Sequence, residues 1–489
     1  MTTYLKKSII GLSLIAGLCG TVSCKKILDL QPHDTTFTSA YFTNGEDANT
    51  AIAGAYALLR STLLNNYSYF TYGDAPSGEF AITDAFYSPI VSGQFTGSNV
   101  SSGLWNWQTE YQLMQQINLI INKVPQIDIS KFTDKDDKLQ ITGEAYFLRA
   151  YIYFYMSRVW GDVPLKLTPD LDLSTSVNIP RSPAATVLAQ CLSDLQVAEA
   201  DLKYGYTDVS QTAVRANKGS AMALQAHIKE WMGDYAGCDT ATNAVITQGG
   251  YQLVDSADYA KVFIGKTIEG IFEINIDYSQ NEGYEATDNY GGYVPTLSYP
   301  IIANKSSLQW PLNTSYFNKI YVDTNDIRAR KFFYQPQSNA GQTIKYSNVI
   351  YADGSAKNDP RLSNNIIIFR LADIILLRAE ALNHLGRSQE AITLVNQIRK
   401  RANTSLYPTK ADPDLTTAIL EERLRELFYE GQSYYDLVRT KKLTTYNDNF
   451  PGTQFGTGGP KDGWLWPIDP NMFKDDFTLT QTPYWQGKL

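Results

Sequence analysis

Apolar and polar positions alternate with a helical period over most of the chain. In DLTTAILEERLRELFYEGQSYYDLVR (residues 414–439), Leu420, Leu424, Leu427 and Phe428 follow the i, i+4, i+7, i+8 stripe of an amphipathic helix, and Glu421 and Arg425 stand one turn apart as an ion pair. The segment ALQAHIKEWMGDYAGCDTATNAVI places Ala226 and Cys238 twelve residues apart with Gly233 between them. LLRAEALNHLGRSQEAITLVNQI repeats that layout with Ala379, Gly386 and Ala391. A small residue on each of two helices, joined across a glycine turn, lets the helices pack closely, which is the tetratricopeptide (TPR) arrangement. Further helices are expected near 46–64, 106–124, 136–160, 182–203 and 212–248. The expected fold is therefore mostly α: a TPR-like scaffold of helical pairs with long irregular loops and a few short strands.

Two stretches break the pattern. Residues 66–104 are rich in Tyr, Gly, Ser and Asp, and residues 250–365 hold one alternating run, IFEINI (271–276), in Gly-, Asn-, Tyr- and Pro-rich sequence. Irregular segments of this length are usually functional or disordered, and Tyr290, Tyr293, Tyr299 and Trp310 in the second weigh against disorder. Both are expected to carry a binding surface. Helical sequence resumes after each break, so no boundary divides the body of the chain.

The N-terminus sets the compartment. Lys6 and Lys7 precede an apolar run from Ser8 to Val22, shorter than the roughly 20 residues of a membrane-spanning helix. A charged start, a run of this length and small residues after it describe an export signal. Thr21-Val22-Ser23-Cys24 is similar to a bacterial lipobox, with Thr21 where Leu is commoner. The expectation is a lipoprotein signal over residues 1–23, a lipid on Cys24 and one domain over 24–489. The alternative is a plain secretory signal with Cys24 left as a thiol.

Acidic residues outnumber basic ones, 50 to 42, for a formal net charge of −8, and removing residues 1–23 takes two lysines and no acid. That balance argues against nucleic acid and against a basic membrane-surface patch. Cys191 and Cys238 are too few for a disulfide framework and read as buried thiols. Tyrosine, at 33 against 20 Phe, is the unusual component; its flat face and polar tip suit wet binding surfaces.

Several motifs in order resemble one family: CKKILDLQP after the signal, EAYFLRAYIYFYMSRVWGDVPL (144–165), DIRAR (326–330), FRLADIILLRAEALNHLG (369–386), ILEERLRELFYEGQSYYDLVR (419–439) and LWPIDPNMF (465–473). Together they resemble the SusD/RagB outer-membrane lipoproteins of Bacteroidetes. The family's closing Gln-Asn-Pro-Gly-Tyr stands here as Gln481-Thr482-Pro483-Tyr484. The resemblance implies a surface-exposed, lipid-anchored, non-catalytic binding protein that captures oligosaccharides, or in some members peptides. It also implies a partner, a SusC-like TonB-dependent transporter that receives them.

Sugar recognition needs flat aromatic faces and side chains that exchange paired hydrogen bonds with neighbouring hydroxyls. YSYFTYGDAPSGEF (67–80) supplies Tyr69, Tyr72, Asp74 and Glu79, and FYSP adds Phe86 and Tyr87. The resemblance adds the irregular segment, here Tyr290, Tyr293 and Trp310. The competing reading is that these aromatics pack the loops onto the scaffold. Trp105, Trp107, Trp160, Trp464 and Trp466 read as structural.

Catalytic signals are thin. His33, His227 and His384 are isolated and lack metal-ligand spacing. GKT (265–267) lacks the earlier glycine of a phosphate loop, and no Gly-x-Ser-x-Gly occurs. DKDDK (134–138) reads as a solvated turn, and the acids of EERLRE read as a charged helix face paired with arginines. No cofactor and no metal are expected. A secreted glycoside hydrolase, which needs only two carboxylates, is the competitor from another class, and a scaffold that binds only its protein partner is a third reading.

Overall fold

The computed structural model describes residues 41–96, 100, 102–172, 176–280, 282, 295–410, 414–455 and 462–489. The leader, Cys24, His33, Tyr290 and Tyr293 lie outside the described residues. One compact unit takes residues 44–169 and 177–489; the described residues 41–43, 170–172 and 176 belong to a second, small unit.

Ten helices frame the larger unit: α1 (Gly45–Leu64), α2 (Gln108–Lys123), α3 (Asp136–Trp160), α4 (Ala184–Asp201), α5 (Lys218–Met232), α6 (Tyr235–Gln248), α7 (Leu371–His384), α8 (Ser388–Arg401), α9 (Leu415–Glu426) and α10 (Ser433–Arg439). They start where the local chemistry starts them. Asn44 caps α1 by accepting from the amides of Glu46 and Asp47, and Asn217 and Ser220 form a reciprocal capping box on α5. The region expected to be helical over 212–248 is two helices, because Gly233 takes φ 77° and stops α5. Gly386 does the same after α7 at φ 76°, a conformation that favours glycine. α5 packs on α6, α7 on α8, and α6 on α7. At the centre Ala226, Cys238, Ala241, Leu377 and Ala381 form one buried cluster, and Ala379 and Ala391 are also fully buried. The small residues thus sit where the pairs touch, as the twelve-residue spacing predicts.

α3 is buried on every side from Ile141 onward, which is why it shows no polar face. It packs against α2 and α4, and Arg149 reaches Asp194 on α4 through two hydrogen bonds of 2.8 and 2.7 Å. The expected strand exists: β1 (Gly270–Ile274) pairs antiparallel with β2 (Ile366–Arg370), and both are fully buried. Cys191 and Cys238 are free buried thiols.

The acids and arginines of EERLRE depart from expectation. The Glu421–Arg425 contact is present at 3.8 Å, but Glu422, Arg423 and Glu426 are fully buried rather than on a solvated face. Arg423 pairs with Asp373 (2.9 Å) and Asp436 (2.8 Å), while Glu422 and Glu426 belong to an internal ion network. Arg370, at the end of β2, donates Nε to Glu430 (2.7 Å) and Nη1 to Glu269 (2.9 Å) and Glu426 (2.8 Å). Arg401 adds a bond to Glu426 (2.6 Å), and Arg328 bridges Asp326, Glu422 and Glu426 at 2.8, 2.8 and 2.9 Å. Lys345 closes the network on Glu430 (2.6 Å) and on the Glu426 carbonyl (2.8 Å). The guanidinium groups around Glu422 and Glu426 overcome the desolvation of both carboxylates and hold them below the usual range, Glu422 at about 2.

Two outcomes test this. Arg370→Met leaves Glu269, Glu426 and Glu430 short of a partner in the interior, so urea unfolding should show a loss of about 3–5 kcal/mol. Because Glu422 titrates lower folded than unfolded, its contribution is complete above about pH 4.5 and lost as pH falls toward 2. That contribution is on the order of 3 kcal/mol. Glu422→Gln should therefore be less stable at pH 7, with a shallower decline over that acid range. An unchanged slope in the variant would remove Glu422 from the acid response.

Candidate ligand-binding site

Between α1 and α2 the chain runs through a short helix (Ser68–Gly73) and then irregular backbone. This segment is built largely inward. Tyr69 is 2% exposed and its hydroxyl donates to the carbonyls of Ile367 (3.1 Å) and Glu430 (2.9 Å). Tyr72, equally buried, donates to the Leu104 carbonyl (2.9 Å) among the rings of Tyr155, Trp160 and Trp466. Asp74 accepts from the Gly431 amide (2.8 Å), while Glu79 accepts from the Ser433 hydroxyl. Burial pushes both carboxyls well up, and the charge of Asp74 adds to the rise at Glu79. Gly73 and Gly431 touch so closely that a Cβ on Gly73 would stand 2.3 Å from the Gly431 carbonyl oxygen. The segment is thereby clamped onto the turn between α9 and α10, which the ion network holds from the other side.

The two irregular stretches do meet. Phe80 and Leu312 form an antiparallel bridge, extended by Ala81 N–H to Pro311 (2.9 Å) and Thr83 N–H to Gln309 (3.2 Å). Asn313 donates from its backbone to Glu79 and from its side chain to Gly78, both at 2.9 Å. Trp310, fully buried, packs edge-on against Tyr67 and Tyr87, with centroids 6.3 and 5.7 Å away, and at a tilt on Phe80 at 5.7 Å. The regions expected to share a site are thus joined, but by the residues expected to face the ligand. Tyr69, Tyr72, Asp74, Glu79 and Trp310 are interior side chains that present no face to a ligand, and their exposure is corrected accordingly. The competing packing reading describes them. Tyr87 is 8% exposed against Trp310, and among the described residues of the expected set only Phe86, at 49%, projects to solvent.

Where the stretches join, a depression of about 510 Å³ is lined by Phe80, Ala81, Ile82, Ser88, Val91, Ser92, Asn313 and Asn449. Its lining mixes apolar side chains with hydroxyl and amide groups, and no ionisable side chain lines it. Phe86 rides on the same loop, its amide tied to Asp84 (2.8 Å). Tyr299, 70% exposed, stands on the second stretch, with its amide on the Lys305 carbonyl (2.7 Å) and its own carbonyl accepting from Gln342 (3.3 Å). Tyr299 was not among the expected site residues. Its only sequence signal was an aromatic in irregular chain, which Trp310 shares, and Trp310 faces inward. Such a site can hydrogen-bond and stack; it offers no acid–base pair. Of the tryptophans read as structural, Trp107, Trp160 and Trp466 are buried, while Trp464 is only partly so.

A family model described as the SusD family matches residues 313–485, and one described as starch-binding, associating with the outer membrane, matches 33–229. The SusD-like protein P38 of Formosa agariphila is 28% identical, with 94% of this chain and 96% of the relative aligned. A SusD homolog from Bacteroides thetaiotaomicron superimposes with a TM-score of 0.78 at 26% identity, over 91% of this chain and 99% of that one. A laminarin-binding SusD-like protein shares the fold at 22% identity, with a TM-score of 0.72 over 90% of this chain and 99% of that one. From the first helices through the last irregular segment, the chain belongs to the SusD-like family.

Proposed function

We propose that this protein is a cell-surface lipoprotein that captures oligosaccharides or polysaccharides without chemistry and delivers them to a SusC-like TonB-dependent transporter. The observation that carries the reading is the depression between the joined loops: apolar side chains mixed with neutral hydroxyl and amide groups, and exposed Phe86 and Tyr299 on either contributing stretch. A neutral polyhydroxylated ligand fits that lining because each hydroxyl finds a partner and no charge is left desolvated. The name of the matched family, starch-binding and outer-membrane-associated, and the laminarin-binding neighbour support a glycan as the ligand. The absence of ionisable groups from the depression supports binding over hydrolysis. No helix among the described residues is long and apolar enough to cross a membrane. Attachment through acylated Cys24 would supply the membrane anchor, since each buried methylene contributes about 0.8 kcal/mol and two or more chains hold where one barely does.

Native affinity electrophoresis against starch, laminarin and other plant, host and microbial polysaccharides, with released sugar assayed in each mixture, tests the reading. Retardation without product is expected; released product would overturn the non-catalytic part, and retardation in no gel would turn attention to peptides. Phe86→Ala and Tyr299→Ala should each weaken binding by about 1 kcal/mol, roughly fivefold, at unchanged stability. Trp310→Ala should instead lose about 3–5 kcal/mol of stability. Wild-type affinity in both surface variants would place the site elsewhere. A Cys24→Ala chain should leave the membrane fraction; its retention there would refute the lipid anchor.

A further inference from the structure

A larger groove, about 1050 Å³, opens on the helical scaffold. It lies where the ends of α5 and α7 meet the start of α9 and the residues after α10, and it shares no lining residue with the loop depression. Its walls are aromatic. Trp231 and Trp464 meet edge to face at 5.7 Å, and Tyr235 stacks on exposed His384 at 3.9 Å with the rings nearly parallel. Trp231 and Trp464 are each partly buried and line the groove.

The polar groups are positioned before any ligand arrives. Arg439 is locked by both oxygens of Glu380 and by Asp436 at 2.8 Å, so its charge is already neutralised. Glu230 is 4% exposed, and its Oε2 is buried without a hydrogen-bond partner. Burial and the neighbouring Glu380 charge push its carboxyl up to about 8, so it is mostly protonated at neutral pH. Its other oxygen, Oε1, accepts from Arg439 Nη1 at 3.4 Å, so the carboxyl is committed to the groove wall. Lys441 and Lys442 are exposed in its lining and form no ion pair among the described residues. Glu230 and Glu380 are buried and paired with Arg439, so the exposed charges of the lining are Lys441 and Lys442 against Asp462, with Asp414 near enough to Lys442 to feel its charge; the exposed rim is cationic in a protein of net charge −8.

We infer that this groove is a second ligand site, selective for an acidic saccharide whose rings lie against Trp231 and Trp464 and whose carboxylate or sulfate groups meet Lys441 and Lys442. Partly exposed aromatic side chains suit pyranose rings, and exposed ammonium groups suit anionic substituents. The inference rests on the saccharide reading above and extends it. The neutral loop depression and the cationic groove would select different portions of a substituted polysaccharide, or different glycans.

Isothermal titration of the mature chain with oligogalacturonate, with chondroitin sulfate oligosaccharides and with neutral laminari- or malto-oligosaccharides tests it, at low and high salt. The acidic ligands should bind, more weakly as salt rises, and Lys441→Asn combined with Lys442→Glu should cut their affinity by about tenfold or more. The same pair of substitutions should leave neutral-oligosaccharide binding unchanged, while Phe86→Ala should do the reverse. Preference between oligogalacturonate and chondroitin sulfate identifies whether carboxylate or sulfate is the group recognised. Neutral binding lost in Phe86→Ala, with no acidic binding, would overturn the groove and keep the loop site. Acidic binding unaffected by the lysine substitutions would also overturn it. Failure of every saccharide would remove the saccharide reading and the groove with it.

Discussion

The network around Arg370 and Glu426 is the constraint on which the remaining architecture hangs. It gathers side chains from the segment before β1 (Glu269), from the middle of the second irregular stretch (Arg328, Lys345), from the ends of β2 and α8 (Arg370, Arg401) and from α9 and the turn after it (Glu422, Glu426, Glu430). Desolvating this many charges is expensive, and their mutual attraction offsets the cost only if every group is matched. The network is therefore a poor source of net stability and a strong source of register. Any shift of β2 against α9 strands a charge in the interior.

From that fixed point the order passes to the surface. Lys345 and Arg370 bond the Glu426 carbonyl as well as its neighbours, so the turn from Leu427 to Ser433 is held at its base. Tyr69, Asp74 and Glu79 then bind the same turn from outside, and Gly73 lies against Gly431. The loop that carries Phe86 grows from this clamp and is paired along its edge with the stretch that carries Trp310. Where it is described, this irregular chain is tied to the scaffold by its backbone and buried polar side chains. Ligand contacts on such a base lose little conformational entropy on binding, which favours affinity from a shallow surface. The groove on the helical scaffold is held differently, through the capped helix pairs and the Arg439–Glu380 pair.

How far these features were legible in the sequence follows from the range of the interaction behind each. Helix positions, the Gly233 and Gly386 turns and the alanines at the pair interfaces could be read because a 3.6-residue period and a left-handed turn are local properties. The buried carboxylates of α9 could not. Glu422 and Glu426 share the composition of any solvated helix face, and what buries them includes Arg328, Arg370 and Arg401, more than 20 residues away in sequence. The aromatic loop shows the same limit: Tyr69 and Tyr72 look like a sugar platform until α3, β2 and the α9–α10 turn close over them.

The sequence by itself determined the class of molecule: helical pairs with small residues at their seams, two irregular aromatic stretches, an acidic chain with a leader-like start, and motifs of one family in order. Each depends on spacing, composition or succession along the chain. Only the tertiary structure decided which aromatics remain available, leaving Phe86 and Tyr299 outside and taking Tyr69, Tyr72 and Trp310 inside, and which charges are spent on one another. Burial is a property of what packs against a residue from elsewhere in the chain, and nothing in a local stretch of sequence encodes it.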